Sequence, residues 1–302
     1  MTDFPRTAFI LGAGLGTRLR PLTEHCPKPL LRLGDEPLVF RAMRALHQAG
    51  TRRFLINTHH CPEVWTQAFP AGKFLDAEVR LVHEPVLLDT GGGLANVAEL
   101  LTDEDRDLIV WNGDILSGVD LAAAVEHHRA NGAEATLVVR EQGPVKNVRI
   151  TDEGEVTDLR DRRGATDPTY QYAGICVVTR AFALGVPKEI ESLVEHFLRR
   201  VGERKGSVQG YLDSSKLWHD LGTLEEFEKL RAELERPIRG RLSVEEAAGL
   251  VGYLPLPEEA VLKGGSGRRF QRVANLSGHT AVLCVYDDSR PENRLYGPLA
   301  RA

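Results

Sequence analysis

At 302 residues the chain is long enough for one α/β domain with a smaller unit attached. A net charge of −5 with both signs interspersed gives no extended basic field, so nucleic acid is not expected as a partner and any anion site must be local. No stretch approaches the ~20 apolar residues of a membrane span, and Cys26, Cys61, Cys176 and Cys284 stand apart without a CxxC pair; a cytoplasmic chain with reduced thiols and no membrane partner is the expectation.

In chain order, the apolar run Ala8 to Leu11 leads straight into Gly12-Ala13-Gly14-Leu15-Gly16-Thr17, as a buried parallel strand delivers a glycine-rich loop. Glycines remove side chains where the backbone turns, which lets main-chain N–H groups face phosphate oxygens. Arg18, Arg20 and Lys28 follow, the lysine held between Pro27 and Pro29. Arginine offers a planar fork to phosphate and lysine a point charge, so the loop and its cations outline a polyphosphate site. Cys26 beside them reads as a structural thiol.

Leu33 to Pro37 reads as a turn opening a helix, with Leu38, Ala42, Ala45, Leu46 and Ala49 at helical spacing and Gly50 closing it. Phe54 to Asn57 is a second strand. This β-loop-α-β opening predicts a doubly wound α/β domain with its site at the carboxyl ends of the strands. His59 and His60 have no carboxylate or cysteine at ligand spacing and read as loop residues. Val79 to Val82 is the next strand, and Leu87 to Leu94 reads as a second glycine turn into a helix over Ala95 to Leu101. Leu108 to Trp111 is an apolar strand that ends in Asn112-Gly113-Asp114 and places a carboxylate at its carboxyl end. Further on come a strand at Thr136 to Val139, a hairpin of Val148 to Ile150 with Val156 to Leu159, and a strand at Tyr172 to Val178 containing Gly174. Helical text from Glu189 to Val201 is followed by Trp218-His219-Asp220-Leu221-Gly222-Thr223 and a helix over Leu224 to Leu234.

The string LGAGLGTRLRPLT with PKPL resembles the signature of the sugar-1-phosphate nucleotidylyltransferases, and further similar segments follow in that family's order over about the first 235 residues. The resemblance implies a Rossmann-like doubly wound mixed sheet, with NTP and sugar 1-phosphate as substrates and pyrophosphate and an NDP-sugar as products. It implies nucleotide binding by Leu11, Gly12, Ala13, Gly14, Gly16 and Thr17, and catalytic roles for Arg18, Lys28 and Asp114. HEPVLLDTGGGL is similar to the segment that reads the base, which assigns Glu84, Thr90 and Gly91 to the nucleotide. The NGD and WHDLGT segments imply Asp114 and Asp220 as ligands of Mg²⁺, with Asn112 and Gly174 beside the sugar and His219 structural. Lys146 or Arg162 is the expected partner of the sugar's phosphate, although the Glu-Lys-Pro segment of many relatives is missing.

The TGGGL form of the second glycine segment is similar to the branch that transfers uridylyl groups to N-acetylmuramate 1-phosphate, so UTP with N-acetylmuramate or N-acetylglucosamine 1-phosphate is the expectation. Guanylyl transfer to mannose or heptose 1-phosphate stays open, as does a non-catalytic sugar-nucleotide-sensing subunit. Beyond Glu235-Arg236-Pro237 the text changes. A capped helix at Ser243 to Tyr253, then Gly264-Gly265-Ser266-Gly267 and a strand at Ala281 to Tyr286, resembles the N-lobe of an aminoglycoside-phosphotransferase-like sugar kinase. The resemblance implies two domains, 1–236 for the transferase and 237–302 for a small α+β appendage from a longer bifunctional chain. An accessory cap on the transferase is the other reading.

Overall fold

The computed structural model describes residues 4–34, 36–143, 145–164 and 167–235, and beyond them strands at 254–255, 262–263, 269–274 and 280–285. The chain divides into two compact units, Met1–Leu234 and Glu235–Ala302.

The first unit begins with β1 (Thr7–Leu11), then a hairpin of β2 (Arg32–Leu33) and β3 (Glu36–Pro37), α1 (Leu38–Ala49) and β4 (Arg53–Thr58). It continues through α2 (Pro62–Ala68), β5 (Lys73–Phe74), β6 (Ala77–His83), α3 (Asp89–Ala98), β7 (Asp107–Asn112), β8 (Ile115–Ser117), α4 (Leu121–Ala130) and β9 (Ala135–Arg140). Then come β10 (Val148–Ile150), β11 (Val156–Leu159), β12 (Gln171–Thr179), α5 (Arg180–Leu184), α6 (Leu193–Glu203), β13 (Val208–Leu212), β14 (Trp218–Asp220) and α7 (Leu224–Glu235).

An eight-stranded sheet runs β13-β9-β12-β7-β1-β4-β6-β5. β1 pairs in parallel with β4 and β7, and β4 with β6, while β12 lies antiparallel between β7 and β9. Central parallel strands are covered on both faces, hence their unbroken apolar text. Phe9, Leu55 and Val110 project to one side, where Leu94 and Val97 of α3, Phe182 of α5 and Phe197 of α6 cover them. Ala8, Ile10, Phe54, Ile56 and Trp111 project to the other, against Val39, Met43 and Leu46 of α1, Trp65 of α2 and Val125 of α4. This is the doubly wound mixed sheet that the sequence predicts.

A third cluster joins Leu19, Leu31, Leu33 and Leu38 to Leu221, and to Phe227 and Leu230 of α7. The closing helix therefore buries the segments that flank Arg18 and Lys28. A capping box starts it: Glu226 N–H donates to Thr223 Oγ1 at 3.2 Å, and Thr223 N–H donates back to Glu226 Oε2 at 3.0 Å.

Two local readings change. The glycines expected in a turn before Ala95 lie inside α3, which begins at Asp89 and ends at Ala98. A Cβ at Gly92 would sit 2.2 Å from the Glu189 carbonyl oxygen, and one at Gly91 would sit 2.8 Å from that of Glu191, so their bareness serves close approach of another segment. That segment is main chain whose carbonyl groups face α3, and α6 starts after it, at Leu193 rather than Glu189.

In the second unit, β17 (Arg269–Ala274) pairs antiparallel with β15 (Leu254–Pro255), β16 (Leu262–Lys263) and β18 (Thr280–Val285). The helix expected at Ser243 to Tyr253 and the loop Gly264 to Gly267 lie outside the described residues. Among the described residues no helix is long and apolar enough to cross a membrane.

Candidate active site

The chain leaves β1 for β4 on one side of the sheet and returns to β1 on the other as β7, so β1 and β7 flank a topological switch point. Leu11 and Asn112 are register partners at their carboxyl ends. Gly113 N–H donates to Leu11 O at 3.0 Å, and a Cβ on Gly113 would lie 2.7 Å from that oxygen. Asp114 is thereby held next to the glycine loop.

Lys28 Nζ forms an ion pair with Asp114 Oδ2 and lies 3.9 Å from Asp220 Oδ1. Its side chain is only 8% exposed, whereas those of Asp114 and Asp220 keep 30% and 47% of their surface. Asp220 comes from β14, which pairs with β8 so that Asp220 opposes Ile115, the residue after Asp114. Burial, and then the nearby Asp114 charge, push the Asp220 carboxyl up from its usual range against the pull of Lys28 and Arg18. A Cβ on Gly222 would lie 3.3 Å from Arg18 Nη1 and 3.5 Å from Asp220 Oδ1, so Arg18 joins the group across a bare glycine. Four residues predicted from scattered segments thus converge.

Two hard carboxylates crowded around one cation fit Mg²⁺, which takes one or two carboxylates and completes its shell with water and substrate phosphates. No group of three or more His, Cys, Asp or Glu side chains suited to a metal occurs among the described residues.

The glycine loop divides by function. Gly12 N–H is spent on Asn57 Oδ1 at 2.8 Å, and a Cβ there would meet the Asn57 carbonyl and the Trp65 ring. Gly16, at φ +60°, brings the loop against Thr23 and the Lys28 Cβ, and its carbonyl accepts from Thr23 Oγ1 at 2.8 Å. Around Gly14 a Cβ would find nothing within 4 Å. Ala13 is buried with Gly12, while Gly14 and Thr17 are exposed, so the open part of the loop begins at Gly14.

Glu84, expected to read the base, has no accessible surface. Its carboxylate accepts from Asn57 Nδ2 at 2.8 Å and from Leu88 N–H at 3.1 Å, so in this structure it acts on neighbouring segments instead of facing solvent. Thr90 Oγ1 accepts from Leu193 N–H at 2.8 Å, and Gly91 N–H donates to Glu191 O at 2.9 Å. These groups hold α3 to the start of α6. His59 and His60 serve the loops, facing the carbonyls of Glu84 at 2.7 Å and Thr23 at 2.6 Å.

On the side expected for the sugar, Gly174 has φ +78°, and a Cβ there would lie 3.0 Å from Asn112 Nδ2, which brings these two together. Arg162 pairs with Glu195 of α6 at 3.3 Å, while Lys146 sits half-buried before β10. Sequence reasoning missed Asn57 and Arg140. Arg140, buried at the end of β9, stacks 4.3 Å over the Trp218 ring, whose Nε1–H donates to Ala173 O at 3.0 Å. A polar residue closing an apolar strand on the site side was the available signal for both.

The family model for nucleotidyl transferases matches residues 7–236. The chain belongs to the nucleotidyl transferase family. Among curated relatives, a mannose-1-phosphate guanylyltransferase of Mycobacterium tuberculosis is 35% identical over 236 residues, 76% of this chain and 65% of the relative. A mannose-1-phosphate guanylyltransferase catalytic subunit beta of Danio rerio is 34% identical over 150 residues, 49% of this chain and 42% of the relative. The chain thus spans less than two thirds of these relatives' length. In fold, the nucleotidyl transferase unit resembles the crystal structure of HddC from Yersinia pseudotuberculosis, with a TM-score of 0.63 at 20% identity over 76% of this chain and 99% of that one. A UTP-bound UGPase from Acinetobacter baumannii gives 0.63 at 18% identity over 77% and 95%.

Proposed function

We propose that this nucleotidyl transferase family member transfers a nucleotidyl group from an NTP to a sugar 1-phosphate. The observation that carries the reading is the meeting of Lys28, Asp114, Asp220 and Arg18 at the carboxyl ends of β1 and β7. A sugar phosphate has a second pKa of about 6, so its oxygen is already anionic at neutral pH and needs no general base. That oxygen forms a bond to the α-phosphorus as the bond to the bridging oxygen of the β-phosphate breaks, and pyrophosphate leaves with the bonding pair. The requirements are alignment and neutralisation of developing charge. Arg18, on the exposed turn after Gly16, meets the leaving pyrophosphate, and Lys28, fixed by burial of its stem, meets the phosphates. Mg²⁺ held by Asp114 and Asp220 would supply further neutralisation of the phosphates. Asn112 and Gly174 border the sugar, with Lys146 or Arg162 as partner of its phosphate.

For the substrate pair, the names of the curated relatives support GTP with mannose 1-phosphate. UTP with N-acetylmuramate 1-phosphate is the second reading, supported by the TGGGL segment at Thr90 to Leu94. Free thiols at Cys26, Cys61 and Cys176 accord with a reducing, cytoplasmic setting. The second unit is taken as the kinase-like appendage, without kinase activity of its own, because its β18 text carries no lysine. Purified protein assayed for pyrophosphate release with each NTP and sugar 1-phosphate tests the reaction and the pair together.

A further inference from the structure

Asn57 is the last residue but one of β4 and Glu84 follows β6, and both are buried, with 2% and 0% of their surface accessible. Asn57 Oδ1 accepts from Gly12 N–H at 2.8 Å, and its Nδ2 donates to Glu84 Oε1 at 2.8 Å. Glu84 Oε2 then accepts from Leu88 N–H at 3.1 Å, at the entrance to α3. One unbroken line of hydrogen bonds therefore runs from the first residue of the glycine loop to the start of α3. Room for it is made by Gly93, where a Cβ would lie 2.7 Å from Asn57 Nδ2 and 3.1 Å from Glu84 Oε1. The main chain of Glu84 is pinned as well, its N–H donating to Thr58 O at 2.7 Å and its carbonyl facing His59 Nδ1 at 2.7 Å.

A buried carboxyl satisfied only by N–H groups is costly to place, and apolar residues would pack β4 against β6 as well. What apolar residues lack is direction. Each group in this line has one partner it can accept from or donate to, so displacement at Leu88 is felt at Gly12.

We propose that Asn57 and Glu84 are positioning residues that couple the glycine loop to the α3 entrance and so set nucleotide affinity from both sides of the binding cleft. The proposal rests on the reading of the glycine loop, open from Gly14 to Thr17 and anchored at Gly12, as the cradle of the nucleotide's phosphates. Its polarity can be reversed. In the double variant Asn57→Asp/Glu84→Gln, the new amide donates to the new carboxylate, Gly12 N–H still finds an acceptor and so does Leu88 N–H. In Asn57→Asp alone, two carboxylates face each other in a buried site. In Glu84→Gln alone, an amide N–H must face either Asn57 Nδ2–H or Leu88 N–H.

The experiment titrates the full chain and these three variants with GTP·Mg and with UTP·Mg by calorimetry, and follows hydrogen exchange at the Gly12 and Leu88 amides. Each single variant is expected to lose about tenfold or more in affinity for whichever nucleotide the parent binds, about 1.4 kcal/mol. It should also lose protection at both amides, including the one its own side chain does not touch. The double variant should return to within about threefold of the parent, a non-additive recovery. If the singles do not fold, a double variant that folds and binds nucleotide supports the bridge, and one that does neither overturns it. Singles that bind like the parent, or a double variant as impaired as the two losses combined, also overturn it. A parent that binds nucleotide without releasing pyrophosphate would sink the transferase reading and leave the bridge standing.

Discussion

Lys28 and Asp114, 86 residues apart in sequence, form an ion pair where β1 and β7 end side by side. The lysine partly neutralises two crowded carboxylates, and under the proposed function all three groups would turn to the nucleotide's phosphates and Mg²⁺. Lys28→Ala should therefore lower kcat by about 100-fold or more, as removal of a preorganised cation does elsewhere. It should also lower the melting temperature in chelator and make Mg²⁺ more stabilising than in the parent. Melting curves with and without Mg²⁺ check this, and a variant indifferent to the metal would contradict it. Arg18→Ala, at an exposed position, should lose comparable turnover while melting like the parent.

Asp114→Asn and Asp220→Asn replace a hard anionic oxygen with an amide, and each should raise the Mg²⁺ concentration needed for half-maximal turnover by about tenfold or more. Calorimetry of Mg²⁺ binding to the nucleotide complex is the check. Unchanged affinity in either variant would remove that residue from the site.

Two glycines that look alike in sequence should respond differently. A Cβ on Gly92 would lie 2.2 Å from the Glu189 carbonyl, so Gly92→Ala should cost about 1–3 kcal/mol of stability as overpacking. Around Gly14 nothing lies within 4 Å, so Gly14→Ala should melt like the parent and instead weaken NTP binding. Thermal melts and nucleotide titrations of the pair decide it. Gly14→Ala with parental nucleotide affinity would take Gly14 out of the cradle.

That pair marks how far the sequence reaches. The apolar runs of β1, β4 and β7 and the α1 spacing determine sheet and layers, because each strand must be buried on both faces, and they are readable in one dimension. The conjunction of the glycine loop with Arg18, Lys28, Asp114 and Asp220 is readable because backbone turns, charge and strand ends have local signatures. Which glycine packs and which faces open space is not local: Gly92 is bare on account of Glu189, almost a hundred residues on. In the sequence Asn57 reads only as a strand end, because both of its partners, Gly12 and Glu84, arrive from the ends of other strands. Lys146 and Arg162 stay undivided in the sequence because the Glu-Lys-Pro segment is missing and their surroundings are not local, Glu195 reaching Arg162 from α6.

Acid should destabilise the fold at the opposite, amino end of the central strands. Asp105 and Asp107 are buried before and at the start of β7. Burial pushes both carboxyls up, but bonds from Thr7 and Thr102 to Asp105, and the His128 ring 3.7 Å from Asp107 together with a bond from Arg129, outweigh it and hold both below the ordinary carboxylate range. A depressed folded pKa contributes stability that is present above the unfolded value of about 3.9 and is lost as pH falls through the folded one. The melting temperature should fall steeply below about pH 4, and Asp107→Asn should flatten that slope while lowering stability at neutral pH. Melts from neutral to acid pH check this, and an unchanged slope in the variant would contradict it.

The most direct test is pyrophosphate release by the purified 302-residue protein with Mg²⁺, across ATP, GTP, UTP, CTP and dTTP paired with sugar 1-phosphates that include mannose, heptose, N-acetylglucosamine and N-acetylmuramate. Release should need both substrates, stop with chelator and fall by about 100-fold or more in Lys28→Ala. Binding of a sugar nucleotide with no release from any pair would contradict it and leave the chain a sensor on the same fold.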